Sequence, residues 1–199
     1  MTLIAFEGLD GSGKSTIAPL VAAQVGGRYV ATPPDELELK QHALLRRQAS
    51  PARYLYYLAG VAAIEQTLAA GDLVICDRHL ASAHALHVDT EDEVRRAFEA
   101  LPLQAADGTI FLDVSEPERR ARLEARPRPL DPFEHRLLVD DELRERVRAR
   151  LLIAPNIVIV PTNGRTVEEV VSRSVEALDQ LVGRRRDAGW DSCSPRSTR

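Results

Sequence analysis

The sequence predicts an α/β fold, a five-stranded parallel sheet flanked by helices with an arginine- and proline-rich lid. Three observations carry that expectation. Short apolar runs alternate with helical patterns along the chain, which is how a parallel sheet covered on both faces reads. Residues 8–15, Gly-Leu-Asp-Gly-Ser-Gly-Lys-Ser, fit G-x-x-x-x-G-K-[ST] without a deviation, between an apolar run and a helix-compatible stretch. A later apolar run ends in Asp77-Arg78, and right-handed crossovers bring all strand C-termini to one edge, where ligands bind.

Strands are expected at 2–7, 28–31, 73–76, 109–113 and 157–160. The first, around Leu3-Ile4-Ala5-Phe6, leads into the glycine-rich turn and a helix over 15–25. Pro33-Pro34 stops the second strand. Further helical patterns cover 36–48, 52–70, 89–100, 116–126, 137–153 and 166–182, the fifth of the seven opening with Ser115, Glu116 and Glu118. Arg126-Pro-Arg-Pro-Leu-Asp-Pro132 cannot be a regular helix; it is either a mobile flap or a rigid surface turn, and the lid is placed at about 126–136. Residues 1–183 are expected to form one domain. The polar, basic 184–199, with Trp190 as an anchor candidate, is expected to be a disordered tail.

A chain of 199 residues, 44% hydrophobic and 28% charged, is an ordinary globular composition. It has no run of about 18 apolar residues to span a bilayer. The first strand begins within two residues of Met1, leaving no room for a signal peptide. Cys76 lies in an apolar strand and Cys193 in the polar tail, so no disulfide is expected and a cytoplasmic location is favoured. Net charge is -4; residues 184–199 hold five arginines and two aspartates, leaving 21 basic and 28 acidic residues, -7, in the body. That acidity argues against nucleic-acid binding, so an anionic small-molecule substrate needs local arginines.

The glycine-rich turn has the features of a P-loop, the phosphate cradle of the P-loop NTPase fold. Gly8, Gly11 and Gly13 permit the tight turn and the approach of a phosphate, Lys14 reaches β- and γ-phosphates, and the Ser15 hydroxyl can ligate Mg²⁺. Asp77 can hold Mg²⁺ through water or fix Ser15, and Arg78 can bridge donor and acceptor phosphates; alternatively the two form a strand-end ion pair. Asp113 is read as a cap for the helix near Ser115. Arg119, Arg122 and Arg126 share one side of a helix and converge on the flap, either as mobile charge neutralisers or as a solvated, salt-bridged face. The histidines, with no cysteine beside them, do not suggest a metal site. Tyr54, Tyr56 and Tyr57 either stack on a base or sugar or pack in the core.

Phe6-Glu-Gly-Leu-Asp-Gly-Ser-Gly-Lys-Ser-Thr16, Asp77-Arg78-His79, and Leu112-Asp113-Val114 before an arginine-rich lid resemble the thymidylate kinase family, in the same order and roughly the same spacing from residue 1 to about 182. The resemblance implies ATP and Mg²⁺ as cofactors, phosphorylation of a nucleoside monophosphate, and a homodimer packed through the apolar helix 55–69. It implies an ATP site from Gly8, Asp10, Gly11, Ser12, Gly13, Lys14, Ser15 and Thr16, Mg²⁺ held by Ser15 and Asp77, and catalytic roles for Lys14, Arg78, Arg126 and Arg128.

The acceptor side departs from the family pattern. No arginine follows the second strand, where Thr32-Pro33-Pro34-Asp35-Glu36 stands, and the arginine of the helix before the third strand falls at Tyr56 or Tyr57, with Arg53 one turn away. The base-reading amide corresponds to Ala83, beside His84. Acceptor-binding candidates are therefore Glu7, Asp10, Arg53, Tyr57, Arg78 and Ala83, and an alcohol acceptor would need Glu7 or Asp77 as its base. Thymidylate is expected to be a poor or modest acceptor. A nucleoside kinase and a nucleotide-binding regulator without kinase activity are the alternatives; a GTPase-type switch lacks its Asn-Lys-x-Asp guanine reader.

Overall fold

The computed structural model describes residues 1–34, 51–87 and 89–187; the helix expected over 36–48, His42, and the tail beyond Asp187 lie outside the described residues. Five strands, β1 (Thr2–Glu7), β2 (Arg28–Ala31), β3 (Leu73–Asp77), β4 (Gly108–Asp113) and β5 (Ile157–Pro161), pair in the order β2-β3-β1-β4-β5 with every pairing parallel. Each strand is where its apolar run predicted it, to within one residue. The register sets Phe6 beside Asp77, and Asp77 beside Ala31, so three strand ends meet at one edge.

Alternation along β1 divides the core. Ile4 and Phe6 join Ile75, Ile110 and Leu112 under helices α1 (Lys14–Val25) and α8 (Val167–Asp187). Leu3, with Val74 and Cys76, faces the opposite layer, which includes α2 (Pro51–Glu65). Phe111, Phe133, Leu137, Leu143 and Val147 form a second cluster on that side. Gly60 lets α2 approach the turn after β2, because a Cβ there would lie 2.9 Å from the Cα of Pro33.

The helices differ from expectation in four places. A short α3 (Leu80–Ala85) follows β3, before α4 (Asp92–Glu99). The pattern over 137–153 is two helices, α6 (Pro132–Val139) and α7 (Asp141–Leu151), because Asp140 leaves the helical region at φ -104 and caps α7 by accepting from the Leu143 amide at 2.9 Å. Thus the region assigned to the lid is partly helical from Pro132 onward. Its start is a capping box, with Asp131 accepting from the amides of Phe133 and Glu134 while Glu134 accepts from the Asp131 amide. Helix α5 (Glu116–Glu124) follows Ser115 as expected, but Asp113 does not cap it; its carboxylate accepts from Arg148 Nη2 at 3.2 Å. Finally α8 continues to Asp187, past the point where the tail was expected to begin. Among the described residues no helix is long and apolar enough to cross a membrane.

Candidate active site

The turn from Gly8 to Gly13 links β1 to α1, and Gly13 caps α1 at φ 100, a left-handed conformation that L side chains adopt rarely. Its amides open onto the sheet edge at a helix N-terminus, a ready-made anion site. Two arginines of α5 hold the turn from behind. Arg119 is completely buried and donates to the Asp10 carbonyl at 3.1 Å and the Leu137 carbonyl at 3.3 Å, with Glu116 matching its charge. Arg122 donates to the carbonyls of Gly11 (3.3 Å) and Ser12 (3.4 Å) and pairs with Glu118 at 2.6 Å. These two are therefore fixed braces rather than mobile charge neutralisers, because their N–H groups are spent on backbone carbonyls and neighbouring glutamates.

Lys14, buried, curls over the turn and donates to the carbonyls of Gly8 and Leu9 at 2.9 and 3.0 Å. Burial and the charge of Arg78 push its ammonium down to about 8, partly offset by Asp10, Asp77 and Glu7. Ser15 Oγ donates to Asp77 Oδ2 at 2.6 Å, while the buried Oδ1 has no hydrogen-bond partner among the described residues. That unpartnered oxygen beside a serine hydroxyl is a donor set suited to a hydrated Mg²⁺. Arg78, at φ 66, pairs with Asp10 and donates to Ser82 Oγ at 3.0 Å. Burial opposes ionisation of Asp10, but Arg78, Lys14 and Arg126 outweigh it and hold the carboxyl at about 2.

A cleft of about 300 Å³ opens in front of these groups. It brings together Asp10, Gly11, Gly13, Lys14, Ser15, Thr16, Asp77 and Arg78 with Arg53, Tyr57, Arg126 and Arg128, all foreseen from the sequence. Thr32, Asp131, Phe133 and Glu134 are among the others that line it and were not foreseen. Arg126 and Arg128 both pair with the largely buried Glu134, at 3.1 and 2.6 Å. The Arg53 guanidinium lies 4.5 Å from the centre of the Phe133 ring. The sequence signal for Phe133 and Glu134 is the Asp131-x-x-Glu134 capping box, which starts a helix five residues earlier than the apolar pattern.

Two acceptor candidates are not in the cleft. Glu7 shares the inner face of β1 with Leu3, so its buried carboxylate points beneath α3. There it accepts from the amides of His79 (3.0 Å) and Ser82 (3.2 Å) and from the Ser82 hydroxyl; burial raises its pKa. Ala83 is fully buried against Tyr54 and Leu58. His84 is tied to the Tyr54 hydroxyl, and Tyr54 and Tyr56 are core residues, leaving Tyr57 alone facing the cleft. Gly8 and Ser12 lie outside the cleft lining, but Ser12 lines a second cavity of about 440 Å³ behind the turn. That cavity also holds Arg122, Thr162 and Arg165, whose buried Nε has no hydrogen-bond partner among the described residues. It was missed in the sequence, although Thr162 to Arg165 directly follow β5 at the ligand edge of the sheet.

The geometry can therefore grip a polyphosphate between two cavities with fixed amides and several cationic side chains, the arrangement phosphoryl transfer requires. The thymidylate kinase family model matches residues 6–174. A probable thymidylate kinase of Methanococcus aeolicus is 29% identical over 88% of this chain and 94% of its own length. The thymidylate kinase of Bdellovibrio bacteriovorus is 30% identical over 76% and 81%. In fold, the chain resembles Candida albicans thymidylate kinase (TM-score 0.65, 23% identity, 90% and 91% covered). It also resembles M. mycoides deoxyadenosine kinase with bound dATP (TM-score 0.66, 17% identity, 89% and 100% covered). The chain thus belongs to the thymidylate kinase family, whose members are ATP-dependent phosphotransferases acting on nucleotides.

Proposed function

We propose that the protein transfers the γ-phosphoryl group of Mg-ATP to a nucleoside monophosphate, with Lys14, Arg78, Arg126 and Arg128 stabilising the charge that spreads over the transferred group. The donor triphosphate occupies the turn from Gly8 to Thr16, with its nucleoside in the cavity of Thr162 and Arg165. Ser15 and Asp77 hold Mg²⁺, which when bound neutralises charge on the phosphate oxygens. The acceptor enters the cleft between Asp10, Arg53, Tyr57 and Arg78.

The observation that carries the acceptor class is the state of the carboxylates lining the cleft. Asp10 is paired with Arg78, Asp77 accepts from Ser15 with one oxygen and would hold Mg²⁺ with the other, Asp131 caps α6, and Glu134 holds two arginines. Glu7, the other base candidate, is spent beneath α3. An acceptor alcohol needs a base; an acceptor phosphate is already an anion and needs arginines instead. This favours a nucleoside monophosphate over a nucleoside. No Asn or Gln lines the cleft among the described residues, so discrimination between bases is weak and thymidylate is a modest acceptor.

The reading includes a cytoplasmic location, in keeping with the free buried thiol of Cys76, and a homodimer through α2, where Leu55 is exposed. Sedimentation velocity tests the dimer. The functional test measures ADP release from Mg-ATP with a panel of nucleoside monophosphates and the matching nucleosides, with Lys14→Ala as the blank. Monophosphates are expected to turn over and nucleosides not; faster turnover of nucleosides would overturn the assignment.

A further inference from the structure

On the sheet face opposite α1, beneath α3, lies a separate cavity of about 180 Å³ that phosphoryl transfer does not use. Its walls are mostly small and apolar, with Ala81, Ala106 and Ala154 contributing and the well-exposed Ile153 also lining it, but Thr109 and the buried Glu7 carboxylate line it too. Arg150 lines it too, but its charge is already matched by Glu99. His79 is different. Its side chain is 1% exposed and lines the cavity, and neither ring nitrogen has a hydrogen-bond partner among the described residues. A neutral imidazole offers one N–H donor and one acceptor nitrogen. Buried polar groups in folded proteins are nearly always partnered, and an orphaned one points to a missing ligand.

We propose that this cavity binds a small, uncharged ring molecule carrying one hydroxyl or N–H group, which meets the His79 imidazole while the ring fills the space between the alanines. The two charged side chains of the lining are already engaged, Glu7 by the amides of His79 and Ser82 and the Ser82 hydroxyl, and Arg150 by Glu99, which leaves a charged ligand no free counter-ion. The volume suits a single six-membered ring, since an apolar cavity of about 150 Å³ accepts benzene. The inference is independent of the phosphotransfer reading, because binding is measured without nucleotide.

The test compares phenol and benzene binding to the full chain by calorimetry, together with NMR spectra of the protein labelled with ¹⁵N-histidine. Phenol is expected to saturate one site, to shift the His79 ring resonances, and to bind about three- to tenfold tighter than benzene, the value of one net hydrogen bond. His79→Phe should bring the two ligands level, and Ala106→Leu should abolish both by filling the space. Should either variant fail to fold, the histidine spectra of the parent decide. An absence of saturable phenol binding, equal affinity for benzene, unmoved His79 resonances, or undiminished binding in a folded Ala106→Leu protein would each overturn the proposal.

Discussion

Replacing Arg78 by methionine removes a guanidinium and keeps a long side chain in its place. Arg78 is largely buried and answers the charge of Asp10. Losing one charge-assisted contact to the reacting phosphates costs about 1.5–3 kcal/mol, or roughly 10- to 150-fold in kcat/KM. A second effect follows from the pair itself. Asp10 is held at about 2 by Arg78 first, then by Lys14 and Arg126, against the cost of its own burial. Without Arg78 it becomes a less compensated negative charge at the cleft wall, which opposes phosphate binding and destabilises the fold. The double variant Arg78→Met, Asp10→Asn removes both charges, so it should regain thermal stability while kcat stays low. Initial rates of ADP release and thermal melts measure these quantities. Turnover of Arg78→Met within threefold of the parent, or a double variant less stable than the single one, would refute the reasoning.

Glu134→Gln removes the charge that aligns Arg126 and Arg128. Because Arg128 is well exposed, only about 1 kcal/mol is at stake, so kcat should fall about fivefold; an unchanged kcat detaches the lid arginines from Glu134. Arg165→Ala should raise KM for ATP about tenfold and leave the acceptor KM alone, measured by steady-state rates; the reverse pattern would exchange the two cavities. Lys14 is held near 8 in the nucleotide-free protein, and only its cation grips phosphate, so kcat/KM for ATP should decline as pH rises through 8. His79 and His87 are both pushed by burial to about 4, below their unfolded value of 6.5. The unfolded chain then binds more protons between these values, so stability is full above pH 6.5 and falls towards pH 4. The loss is on the order of 3 kcal/mol per histidine, and chemical denaturation across that range measures it.

The sheet was legible because each strand is an apolar run flanked by turn residues, and the turn from Gly8 to Ser15 was legible because a phosphate cradle tolerates few other residues. The departures have separate physical causes. Glu7 was assigned to the cleft by its closeness in sequence to Gly8, but strand alternation turns it to the inner face. Arg119 reads as a surface arginine because its solvation is replaced by backbone carbonyls of Asp10 and Leu137, partners far away in sequence. Ala83 took its assignment from counting along the family pattern, whereas the short helix α3 buries it. The break at Asp140 and the early start at Asp131 rest on side-chain caps, which hydrophobic periodicity does not register.

The central claim is that the glycine-rich turn and Lys14 together grip the phosphates of ATP. Isothermal titration of the parent and of Lys14→Ala with Mg-ATP, both confirmed as folded by circular dichroism, tests it most directly. One saturable site in the parent, weakened at least about tenfold in the variant, is the result expected from losing a charge-assisted contact. A parent that gives no binding heat at any temperature tried, or two proteins with equal affinity, would contradict it.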